Sequence, residues 1–221
     1  MDARIAVRER RSIRCFRPDE VPENIIREIL DVARWAPSWG NTQPWEFYVV
    51  TGNALEKFKK LNRQQYMDGI PPSPEIPMPR VWPEVLKKRY TSLGKRLLTS
   101  MSIAREDTEG RSRYYAKMYG LFGAPCLILT CIEKSLSIEY AMIDVGLINQ
   151  TICLLGHERN LGTCMLAASV SYPKLLRELL PIPKDKLIVI GTVLGYPDWD
   201  SPENHFERER ATIDEQVTWV S

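Results

Sequence analysis

Three arginines and a serine fall within five residues at Arg10-Arg11-Ser12-Ile13-Arg14. Guanidinium groups make bidentate, charge-assisted hydrogen bonds to phosphate oxygens, and a serine hydroxyl adds a short donor. A dianionic phosphate leaving water needs such a set. The same residues also read as a solvated basic turn making surface ion pairs, which are weak and common. A second cluster, Pro37-Ser38-Trp39-Gly40-Asn41-Thr42-Gln43-Pro44-Trp45, sets hydroxyl and amide groups beside indole rings. Asn and Gln amides both donate and accept, as reading a heteroaromatic edge or a row of hydroxyls requires. The competing reading is a capped turn after a helix. A third cluster, Asn204-His205-Phe206-Glu207-Arg208-Glu209-Arg210, offers Arg208 and Arg210 to the same phosphate, or forms a solvated mixed-charge segment.

Other active-site patterns are missing. No G-x-G-x-x-G follows a strand, and neither a Walker A sequence nor a G-x-S-x-G elbow occurs. His157 and His205 are the only histidines and lie far apart, so each reads as an exposed polar residue. With so few side-chain candidates, a bound cofactor is expected to carry the reactivity. The five cysteines are odd in number and lack C-x-x-C spacing, which argues against a disulfide framework or a zinc site and for buried thiols in a reducing compartment.

The elements that must position these clusters follow from periodicity and punctuation. A short helix over residues 3–10 leads into the basic turn. Pro22 opens a helix whose apolar face is Ile25, Ile26, Ile29, Leu30 and Ala33, and Pro37 ends it. Trp45–Val50 reads as a strand and Ala54–Asn62 as a short helix. Six prolines between residues 64 and 83 exclude regular helix and make that stretch a linker or a mobile cover over a site. Helices are expected over Glu84–Glu106 and Arg111–Tyr119, then a buried strand at Cys126–Ile132. A long, central helix spans Glu139–Arg159, with Asn160-Leu161-Gly162 as its cap. Thr163–Ala168 is a short strand, Tyr172–Leu180 a helix, Leu187–Leu194 the strongest strand, and Asp214–Trp219 a late helix. About four strands among more helices predict an α+β fold with helices covering a sheet.

The totals agree with an enzyme-sized globular chain. It has 221 residues, 44% hydrophobic and 26% charged, with a net charge of +2 and pI near 8.2. That balance argues against nucleic acid, which calls for a basic stripe and stacking aromatics. The charged N-terminus has no secretory apolar region, and no run of about 18 apolar residues suggests a membrane span, so a cytoplasmic location is expected.

Together the clusters resemble the FMN-dependent nitroreductase family. The likeness is carried by Arg10-Arg11-Ser12-Ile13-Arg14-Cys15-Phe16, Val21-Pro22, Ala33-Arg34-Trp35-Ala36-Pro37-Ser38 and Asn41-Thr42-Gln43-Pro44-Trp45. It continues through Phe122-Gly123-Ala124-Pro125, Leu161-Gly162-Thr163, Gly195-Tyr196-Pro197 and the Arg208/Arg210 pair. The resemblance implies one α+β domain over residues 1–221, a central mixed sheet covered by helices, an intertwined homodimer and a variable proline-rich and helical insertion at about 62–110. It implies that Arg10, Arg11, Ser12, Arg14, Arg208 and Arg210 hold the FMN phosphate end. Pro37, Ser38, Asn41 and Gln43 approach the flavin or its ribityl chain, some from the partner subunit. Leu166, Ala167 and Ala168 lie beside the ring and present backbone N–H near N5; family members often have glycine there. Trp39 and Tyr66 are candidate walls for a flat, apolar substrate. The implied activity is ping-pong reduction of nitroaromatic or quinone-like acceptors by NAD(P)H, with the chemistry at the flavin and no catalytic side chain or metal. The same scaffold also suits reduction of activated C=C bonds or reductive dehalogenation, and a flavin-binding protein without turnover is the alternative of another class.

Overall fold

The computed structural model describes all residues, 1–221. Four strands, β1 (Glu46–Thr51), β2 (Cys126–Glu133), β3 (Gly162–Leu166) and β4 (Lys186–Gly195), form one sheet in the order β1-β2-β4-β3. Every pair is antiparallel, so the sheet is not the mixed one expected. Parallel pairing survives only as an isolated bridge between Ser12 and Thr163, outside the ladders.

Helices cover both faces, which explains the pattern of β2. Leu127, Leu129 and Cys131 point into a core shared with α3 (Gly52–Met67), α5 (Thr108–Tyr119) and α7 (Pro173–Leu179). Cys126 and Ile128 point the other way, against α2 (Glu23–Ala33) and α6 (Ile138–Glu158). Alternate side chains thus enter two different cores, and the strand reads as a continuous apolar run rather than an alternating one.

Helix α6 is long and apolar enough to cross a membrane by length and composition, although no such segment was expected from the sequence. Its inner face, however, is sheet packing built around a polar centre. Buried Asn149 accepts from Thr130 Oγ1 at 3.2 Å and Thr192 Oγ1 at 2.8 Å, and donates to Val145 O at 2.9 Å. Such a satisfied network fixes the register of the helix over the sheet.

Several boundaries differ from expectation. Helix α3 runs to Met67, into the proline-rich stretch, because its first proline is Pro71. Helix α4 (Glu84–Ser100) stops before the acidic Glu106. The third strand ends at Leu166, and Ala167–Val170 winds into a 3₁₀ turn. Asp214–Trp219 forms turns only. That tail lies on α4 instead, through Arg89–Glu215 at 3.0 Å and ion pairs from Arg96 to Glu207 and Glu209. Residues 70–76 are a strap rather than a free cover. Ser73 N donates to Ser171 O at 2.9 Å, Tyr172 Oη to Ile70 O at 2.9 Å, and Glu75 takes a two-oxygen contact from Arg177 Nη2 at 2.7 and 2.9 Å.

Candidate cofactor site

Helix α1 (Ala3–Glu9) ends at Arg10, and the extended chain that follows crosses the start of β3. Ile13 N donates to Thr163 O at 2.9 Å, which sets Ser12 and Arg14 on the side away from buried Ile13. The close approach depends on Gly162: a Cβ there would lie 2.5 Å from Ile13 Cγ1 and 2.9 Å from Pro197 Cγ. The buried Cys164 thiol on β3 is directed to Met165 O at 3.6 Å.

The chain returns to the same place from nearly 200 residues away. Asn204 is fully buried and accepts from Arg14 N at 2.8 Å through Oδ1, while its amide donates to Cys15 O at 2.8 Å and Asp198 O at 2.7 Å. Arg11 donates to Phe206 O, and Arg208 donates to Arg10 O and, at 2.6 Å, to Arg8 O. The Phe206 ring is a platform for two guanidinium groups, with Arg11 Cζ at 5.8 Å and Arg14 Cζ at 5.5 Å from its centroid. Arg14 Nη1 donates to Ser12 O at 3.1 Å, and Tyr114 of α5 lies close enough to feel the charge of the same guanidinium. Burial pushes the Tyr114 hydroxyl up to about 12, against the pull of Arg14, so Tyr114 is neutral at ordinary pH.

The result is a half-buried cradle with a surplus of positive charge. None of Arg10, Arg11, Arg14, Arg208 and Arg210 makes an ion pair with a carboxylate within the chain. Burial and then the Arg14 charge lower Arg11 from its ordinary value. Burial, followed by Arg11, Arg210 and Arg10, does the same for Arg208. Guanidinium groups stay charged regardless, so the crowding is electrostatic strain that a bound anion relieves. Arg210 sits at the exposed rim, with Nη1 on Glu209 O at 2.7 Å.

Leu166 ends β3, about 10 Å along the strand from Thr163, and Ala167 and Ala168 follow in the 3₁₀ turn. Asn62 of α3 donates to Ala168 O at 3.2 Å, Ser169 Oγ to Leu166 O at 2.6 Å and Ser171 Oγ to Ala167 O at 3.4 Å. These bonds hold the turn's carbonyls inward. An elongated ligand with its anionic end in the cradle would lay its other end on this turn.

The 37–45 loop lies elsewhere. Trp39 N donates to buried Asp144 Oδ1 at 3.1 Å near the N-terminal end of α6, and Ser38 Oγ accepts from Gln43 N at 2.9 Å. Gln43 Nε2 donates to Asn41 O at 3.1 Å, and Asn41 and Gln43 are held at φ 57° and 48°. That left-handed backbone is uncommon outside glycine and is sustained here by side-chain bonds. Pro37 is exposed and Ser38 half-buried. The cradle adjoins His157, thirteen residues and therefore about 20 Å along α6 from Asp144. Within one chain the loop and the cradle do not meet.

Of the two candidate substrate walls, Trp39 is exposed and meets Tyr140 edge-on, with centroids 6.1 Å apart. Tyr66 stacks on Tyr119 at 4.5 Å and packs against the core. His157 is half-buried, not exposed as expected, whereas His205 is exposed with its ring against Trp199 O. Sequence reasoning missed Tyr114, Phe206, Asn204 and Asp144 as supports. Only Asn204 and Phe206 stand within a recognised cluster; Asp144 lies inside the long helix, and nothing local marks it or Tyr114.

A family model described as the nitroreductase family matches residues 7–196. The chain belongs to the nitroreductase family. It is 33% identical over 220 residues to a nitrobenzene nitroreductase of Ectopseudomonas oleovorans, covering 97% of this chain and 95% of that one. Among solved structures it resembles the FMN and NADPH-dependent nitroreductase NfnB of Sphigopyxis sp. strain HMH, with TM-score 0.95, 28% identity and full coverage of both chains. It also resembles the FMN-dependent NfnB of Mycobacterium smegmatis in complex with NADPH, with TM-score 0.93, 27% identity and coverage of 99% and 98%. As a family member of this shape, the chain has the α+β nitroreductase fold expected for it.

Proposed function

We propose that this chain is a homodimeric FMN-dependent oxidoreductase that takes electrons from NAD(P)H and reduces nitroaromatic or quinone-like acceptors. The observation that carries this reading is the cradle: five convergent arginines without a carboxylate partner, next to a strand-end turn of small residues. That donor set fits a dianionic phosphate, and the turn fits close approach of a flat ring. Arg10, Arg11, Ser12, Arg14, Arg208 and Arg210 bind the phosphate end, while Leu166, Ala167 and Ala168 line the ring. When bound, FMN supplies two-electron exchange between NAD(P)H and the acceptor. The protein orients donor and acceptor in turn over one face, excludes water and needs no nucleophile of its own.

An exposed apolar stripe on α6 supports the dimer. Tyr140, Ile143 and Leu147 are exposed on one stripe, and half-buried Gln150 and Leu154 extend it. A two-fold axis across that stripe pairs the helices antiparallel. The loop carrying Pro37, Ser38, Asn41 and Gln43 at the N-terminal end of one α6 then faces the partner's cradle at the C-terminal end of the other. This arrangement resolves the 20 Å separation within one chain. Residues 62–110 shape the acceptor space, with Trp82 stacked on Tyr90 at 6.4 Å and Val85 and Leu86 exposed beside them. Trp39 lines the mouth.

The test is the visible absorption spectrum of the purified protein, followed by anaerobic addition of NAD(P)H and then nitrobenzene. Flavin bands that bleach and return support the reading. A colourless protein that takes up no added FMN refutes it. Sedimentation of Ile143→Glu checks the interface: a monomer that has lost flavin is expected, and an intact dimer overturns the proposed axis.

A further inference from the structure

The last turn of α6, the end of α1 and the start of β3 enclose a cavity of about 20 Å³ beside the cradle. Two buried polar atoms on its walls, Arg10 Nε and His157 Nε2, have no hydrogen-bond partner in the protein. Glu9 also lines it, with Oε2 4.0 Å from His157 Nε2. That distance is too long for a direct hydrogen bond and right for a bridged one. One water molecule needs about 10–15 Å³ of such space and two to four polar partners.

We infer that His157 and Glu9 position Arg10 in the phosphate cradle through one shared water. The water accepts from Arg10 Nε–H and donates to His157 Nε2 and to the Glu9 carboxylate. Its three bonds satisfy every polar atom facing the cavity that has no partner in the protein. The bridge takes only the Nε–H of Arg10, leaving the terminal nitrogens, which make the paired contact to phosphate, for the ligand. Arg10 is otherwise placed only through its backbone, by its N–H to Ala6 O at 3.0 Å and by its carbonyl, which accepts from Arg208. The water-held imidazole is thus what orients its side chain. The inference rests on the reading of Arg10 as a phosphate ligand.

The experiment follows FMN release from full-length holoprotein on dilution, by recovery of flavin fluorescence, and repeats it with riboflavin, which lacks the phosphate. His157→Phe is expected to raise the FMN Kd about three- to tenfold, the loss of one hydrogen-bonded support, and to leave riboflavin within about twofold on the same scale. His157→Gln, whose amide oxygen can still accept from the water, restores FMN binding. In an Arg10→Ala background His157→Phe adds nothing further. If His157→Phe does not fold, Glu9→Ala at the exposed edge carries the same test, with FMN weakened and riboflavin unchanged. Unchanged FMN affinity in His157→Phe or Glu9→Ala, where Arg10→Ala weakens it, overturns the inference. Equal weakening of FMN and riboflavin also overturns it, since that marks general packing. An Arg10→Ala protein that keeps full FMN affinity sinks the underlying assignment of Arg10 instead.

Discussion

Replacing Arg14 by alanine separates the phosphate reading of the cradle from a purely structural one. The guanidinium donates to Ser12 O at 3.1 Å and lies over the Phe206 ring, so it is held half-buried and aimed before any ligand arrives. A hydrogen bond to a charged group in such a setting contributes about 1.5–3 kcal/mol. Its loss raises the FMN Kd by about 10- to 150-fold. Riboflavin has no phosphate, and its affinity stays within about twofold. The substitution also removes the charge that, after burial, lowers Arg11, which offsets the lost contact to Ser12 O. The flavin-free variant therefore keeps a melting temperature close to the parent's, while the stabilisation that FMN adds shrinks. Titrations of both flavins by fluorescence, with thermal melts at fixed FMN, give all three quantities. Equal loss of FMN and riboflavin affinity, or unchanged FMN affinity, refutes the argument.

Three further outcomes test the frame around the site. Gly162→Ala drives a Cβ against Ile13 and Pro197; it costs about 1–3 kcal/mol by overpacking and displaces the basic segment, so urea unfolding and FMN affinity fall together. Asn149→Ala strands the Thr130 and Thr192 hydroxyls between α6 and the sheet; a loss of about 2–4 kcal/mol in denaturant unfolding is expected, and a loss below 1 kcal/mol, the lower end for an unmade buried bond, argues against the network. Arg177→Ala frees Glu75 and three carbonyls, those of Ile182, Pro183 and Lys186; limited proteolysis then cuts within residues 68–83 faster than in the parent, and an unchanged cleavage rate removes the latch.

The sequence was readable where a signal is local. Periodicity located α6, and apolar runs located β2 and β4, to within a residue or two; α2 starts where Pro22 places it but ends at Ala33, short of the stop expected at Pro37. The all-antiparallel pairing had no local signal, because β2 is buried on both faces and shows no alternation. Asp214–Trp219, expected as a helix, forms none and is tied to α4 through Arg89–Glu215. Ala167 and Ala168 leave the strand because Ser169 and Ser171 bond back to Leu166 and Ala167. For the site, arginine density marked the cradle, and family likeness joined Arg208 to Arg14. Phe206 as a platform and Tyr114 as a support depend on contacts between distant segments. Spacing along the chain carries no trace of these.

The cradle is closed by pairs such as Arg14 with Asn204 and Arg8 with Arg208, separated by 190 and 200 positions. Synthesis runs from the N-terminus, and residues emerge at about 5–20 per second. A nascent chain therefore carries Arg10, Arg11 and Arg14 for most of its translation with nothing to fold them against. Only when residues 204–208 have left the ribosome does the basic segment acquire its platform and its fixed geometry. If the cradle holds the FMN phosphate as proposed, cofactor loading is a late event, and bound flavin would mark the chains that were translated through this segment. Chains aborted just before it would contain the residues of every strand and α-helix, yet lack the platform that fixes the cradle.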